Sequence, residues 1–92
     1  MQGTSKAAAV AVAEATISGL QDEILDDIES VIREGFVPDG SVEVTFSDYE
    51  GLQHRTALAQ VLDYYRDNGW SVSANPVPPG EFRGGSTTYI FS

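Results

Sequence analysis

The stretch from Ser41 to Ser92 constrains the fold more than any other part of this chain, because its apolar residues change period in a definite order. Val42, Val44 and Phe46 alternate with Glu43, Thr45 and Ser47, the period-two pattern of a half-buried strand. Leu58, Val61, Leu62 and Tyr65 then recur three and four residues apart, the stripe of a helix lying on a core. Trp70, Val72 and Ala74 return to alternation, and Tyr89 and Phe91 alternate again with Thr88 and Ile90. The order is strand, helix, strand, strand.

Upstream, Ile17, Leu20, Ile24, Ile28 and Val31 repeat at helical spacing, with Leu25 and Ile32 widening the stripe and Asp22, Asp26 and Glu29 on the opposite side. Residues 7–15 are rich in alanine, which favours helix but gives a thin apolar face. Thr4 or Ser5 can cap its start. Ser18 and Gln21 have capping-box spacing and Gly19 is a natural break, so residues 1–16 read as a separate segment, helical or ordered by a partner. Gly35 stands where a left-handed cap is wanted, with Phe36 free to fold back, and Gly69 ends the second helix in the same way.

Pro38-Asp39-Gly40 is a turn, and Ser47 with Glu50 forms a capping box that opens a helix running to about Asn68. Strands are expected over Ser41–Ser47, Trp70–Asn75 and Ser86–Ser92, with residues 76–85 as a long hairpin tip. If the last strand lies between the other two, every neighbouring pair is antiparallel. The expectation is a single α+β domain over residues 17–92. It is a two-layer sandwich in the order α-β-α-β-β: a three-stranded, mainly antiparallel sheet covered by two helices, with the Ala-rich helical segment in front.

At 92 residues and 41% apolar content, one modest core is possible and a deep ligand cavity is not expected. The net charge of −9, from 14 acids against 5 bases, argues against phosphate-directed nucleic-acid binding and against anionic membranes. With no cysteine, disulfides, thiolate nucleophiles and Cys-based zinc sites are excluded. Residues 7–13 resemble a signal-peptide core behind Lys6, but the run is short and Glu14 interrupts it. Neither export by a signal peptide nor a membrane span is expected.

No catalytic, cofactor or metal motif is written in the chain. His54, the one histidine, reads as an exposed imidazole on the second helix, nearly neutral to substitution. Asp22, Glu23, Asp26, Asp27 and Glu29 lie between core positions of a helix and lack the Gly-turn spacing of a calcium loop. They read as a solvated acidic face that can meet a basic partner. Tyr65 and Trp70 belong to the core or its rim, while Tyr64 has no such explanation. The tip of residues 76–85 is longer than a hairpin needs, and its Pro78, Pro79, Phe82 and Arg83 are the first candidates for partner contact, with Asp22, Asp26 and Glu29 next.

Gly40, Ser41, Val42 and Val44, then Gly69, Trp70, Val72 and Ser73, then Tyr89 and Phe91 form a pattern that resembles small α-β-α-β-β proteins of tailed bacteriophages. The resemblance spans about residues 20–92; the Ala-rich segment and the Pro-rich tip depart from it. It implies no catalytic residues and no cofactor. What it implies is a virion component, of assembly, decoration or connector type, meeting viral structural proteins or its own copies in the virion or the host cytoplasm. The alternative is a small acidic inhibitor that occupies a nucleic-acid-binding site on a host protein.

Overall fold

The extended backbone of Ser5 starts the first helix, and its Oγ accepts the Ala8 N–H at 3.1 Å. In the computed structural model, which describes residues 3–47, 51–77 and 85–92, helix α1 then runs unbroken over Lys6–Gly35. The break expected at Gly19 is absent. Half-buried Ile17 and Leu20 flank it and pack on the core, which outweighs the roughly 1 kcal/mol a mid-helix glycine costs relative to alanine. Ser18 and Gln21 therefore cap nothing; the Gln21 amide donates to the Gln60 side chain of the second helix. A Cβ added at Gly19 would meet nothing within 4 Å. Gly19→Ala should thus stabilise the protein by about 0.5–1 kcal/mol, read as a higher urea midpoint. A lowered midpoint would show that the helix does not continue through this position.

Gly35 is the last helical residue and not a left-handed cap, again contrary to the expectation. The chain leaves through Phe36, whose backbone is extended (φ −81°, ψ 134°). The cause is tertiary: the Phe36 ring packs edge-on against Trp70 at 4.8 Å, which the extended exit allows. Pro38 then disfavours further helix at the preceding residue, and the Gly40 N–H donates to the Val37 carbonyl at 2.9 Å, closing the expected turn.

Strands β1 (Val42–Ser47), β2 (Val72–Val77) and β3 (Ser86–Phe91) form one sheet in the order β1-β3-β2, both pairings antiparallel. Val42, Phe91 and Val72 share one row and Val44, Tyr89 and Ala74 the next, so the apolar positions of all three strands lie on the same face. Pro76 and Val77, expected in the hairpin tip, instead extend β2 and pair with Thr87 and Ser86. β2 is an edge strand, where a residue without an N–H is tolerated.

Helix α2 spans Gly51–Asp67. At its end the Trp70 N–H donates to the Tyr65 carbonyl and the Gly69 N–H to that of Arg66, with Gly69 at φ +93°. These are the two bonds of a Schellman cap, and Trp70 packs back on Tyr65 with ring centroids 6.4 Å apart. The expected role of Gly69 holds. The capping box proposed for Ser47 and Glu50 lies partly outside the described residues.

Both helices contribute to a single core: Ile24 and Ile28 of α1, Ala57, Leu58, Val61, Leu62 and Tyr65 of α2, and Val42, Val44 and Phe91 of the sheet. Gln21 meets Gln60 and Glu29 meets Tyr65, so the two helices run in the same direction. The result is the α+β arrangement read from the sequence, with α1 continued at its N-terminal end.

Candidate functional site

Residues 6–16 of α1 precede every residue that the helix gives to the core. All of them except half-buried Ala13 are exposed, Val10 at 44% and Val12 at 65%. The arm is thus an apolar helical surface set away from the domain, within a molecule whose extents are 59 × 37 × 18 Å. Exposed large apolar side chains placed singly need no explanation, but Val10 continues a stripe that is buried further along the same helix, whereas Val12 lies on the other side. The sequence reading leaves this segment helical or ordered by a partner. It did not identify Val10, Val12, Lys6 or Glu14 as the side chains presented.

Further along α1, Asp22, Glu23, Asp26 and Asp27 are exposed and make no ion pair among the described residues. Asp22 also borders an open groove of about 310 Å³ between the helices, lined with Gln21, Leu25, Gln60, Val61 and Tyr64. Tyr64, unexplained by the sequence, forms its rim and is more than half exposed.

Glu29 does not belong to this solvated face. It is half-buried, and its Oε1 accepts the Tyr65 hydroxyl at 2.6 Å. Helical spacing along α1 puts Glu29 beside Asp22 and Asp26, but Tyr65 of α2 reaches it. Burial pushes the Tyr65 pKa well above its usual value of about 10, and the hydrogen bond and negative charge of Glu29 push the same way. A raised folded-state value means that this contribution is complete below about pH 10 and is lost as the pH climbs through the folded value. Tyr65→Phe should therefore cost about 1 kcal/mol at neutral pH, and the two stability curves should converge in strong alkali. Parallel curves in chemical unfolding between about pH 8 and pH 11 would contradict this assignment.

His54 is also misplaced by the sequence reading. It is only 8% exposed, tilted against the Phe46 ring at 5.9 Å, and it borders a cavity of about 210 Å³ with Arg55, Leu58, Ser47, Thr87 and Tyr89. The signal was present: His54, Leu58, Val61 and Tyr65 form one helical row. Nothing in the described residues places a carboxylate on this imidazole to orient it as a base.

Pro78, Pro79, Phe82 and Arg83 lie outside the described residues. Among the described residues, no group of three or more His, Cys, Asp or Glu side chains is placed to hold a metal ion, and no helix is long and apolar enough to cross a membrane. Compared with protein families, curated proteins and solved structures, the chain matches none.

Proposed function

We propose that this protein is a non-enzymatic binding module that works through protein–protein contacts, with α1 as its presenting element. The observation that carries the reading is the arm of residues 6–16: an exposed helix that continues the core stripe but adds nothing to the core. A helix this exposed gains little from tertiary packing, so covering it by another protein is the state in which its apolar side chains contribute.

The resemblance to small proteins of tailed phages supplies the setting, a virion component of assembly, decoration or connector type. Counting copies in purified particles of the encoding phage by quantitative mass spectrometry tests it. A fixed stoichiometry to the other structural proteins is expected. Absence from the particle would overturn the virion assignment.

The exposed carboxylates Asp22, Glu23, Asp26 and Asp27 favour one second reading, an inhibitor whose acidic face occupies a nucleic-acid site on a host protein. Its test is competition: oligonucleotide should displace the protein from that host target, and neutralising these four acids should abolish capture.

A further inference from the structure

We propose that the partner covering the arm is a second copy of this chain, docked as an antiparallel helix pair centred on Val10. Lys6 of each copy then faces Glu14 of the other. This rests on the reading of α1 as a protein-contact element and names its occupant.

The argument begins with geometry. At 3.6 residues per turn, Lys6, Val10 and Glu14 follow one another along a single helical row, with Ala7, Ala13 and Ile17 beside it. This is the direction in which Ile24 and Ile28 face the core, so the row carries the buried stripe beyond the domain. The small side chains flanking Val10 let two such helices approach to about 8 Å, the close end of helix packing.

Charge selects the occupant and its orientation. Lys6 and Glu14 are the only charged side chains in residues 1–21, and both are exposed, four residues either side of Val10. A two-fold axis at Val10 therefore matches each Lys6 with a Glu14 and leaves the interface neutral, although the chain carries −9. The first turn of α1 has no acidic residue, and the Glu14 of the other copy brings a carboxylate towards that positive helix end. In a parallel pair Lys6 would meet Lys6 and Glu14 would meet Glu14. In the antiparallel pair the two Asp22 residues lie about 36 Å apart along the axis, at about 1.5 Å per residue. That is several times the screening length of about 8 Å at physiological ionic strength.

The test is sedimentation equilibrium on the full-length chain and its charge variants, with circular dichroism to confirm folding. The wild type should dimerise reversibly. Lys6→Glu and Glu14→Lys should each weaken dimerisation by roughly tenfold, since two exposed pairs turn from attractive to repulsive. The double variant should recover it. An equimolar mixture of the two single variants should form a heterodimer tighter than either homodimer, and the weakening of the wild-type dimer by each single variant marks the antiparallel register, since in a parallel pair like charges already meet. A wild type that stays monomeric throughout, or single variants whose effects do not compensate, would overturn the proposal. Stoichiometric incorporation of that same monomer into particles would leave the binding-module reading standing.

Discussion

Phe91→Ala should destabilise the domain by about 3–5 kcal/mol, a large part of the stability of a protein this small. Phe91 is fully buried at the end of the central strand, between Val42 on one side and Val72 on the other. Its ring meets those of Tyr65 at 5.3 Å and Trp70 at 6.5 Å, so truncation leaves a cavity walled by aromatic side chains that cannot collapse into it. The change should appear as a urea midpoint close to zero or as an unfolded chain. A loss below about 1 kcal/mol would mean that β3 is not the central strand.

Gly69→Val should cost roughly 2 kcal/mol, through a different mechanism. No atom lies within 4 Å of a Cβ placed there, so the penalty is not a clash with neighbours. It is the strain of holding a β-branched residue at φ +93°, where the Schellman cap requires it. Gly69→Ala should be milder for the same reason. His54→Ala, expected to be neutral for an exposed imidazole, should cost about 1 kcal/mol through lost packing of the buried ring on Phe46. Equal urea midpoints for wild type and Gly69→Val would contradict the cap.

The contrast between Gly69 and Gly35 shows where sequence reasoning stops. Both follow an apolar helical stripe and precede an aromatic residue, and local chemistry gives them the same role. Gly69 takes it because Trp70 folds back on Tyr65 within its own helix end. Gly35 does not, because Phe36 is drawn to Trp70, a residue far along the chain. Strand order and face were legible for a related reason: period-two alternation assigns the sides, and a helix between β1 and β2 followed by a hairpin leaves β3 a natural place in the middle. Glu29 was illegible because its partner Tyr65 comes from the other helix, and α1's periodicity does not contain that contact. Pro76 was misread because proline signals a loop only where its missing N–H would be needed, and an edge strand does not need it.

The central claim is that the fold closes its core on the chain after the arm, leaving residues 6–16 to act outside it. Thermal unfolding and sedimentation of a chain beginning at Thr16, compared with the full-length protein at matched low concentration, test this most directly. The shortened chain should unfold within a few degrees of the full-length monomer and should no longer self-associate at any concentration. A much lower unfolding temperature, or undiminished association, would contradict it: the first would place the arm in the folding unit, and the second would place the contact surface elsewhere.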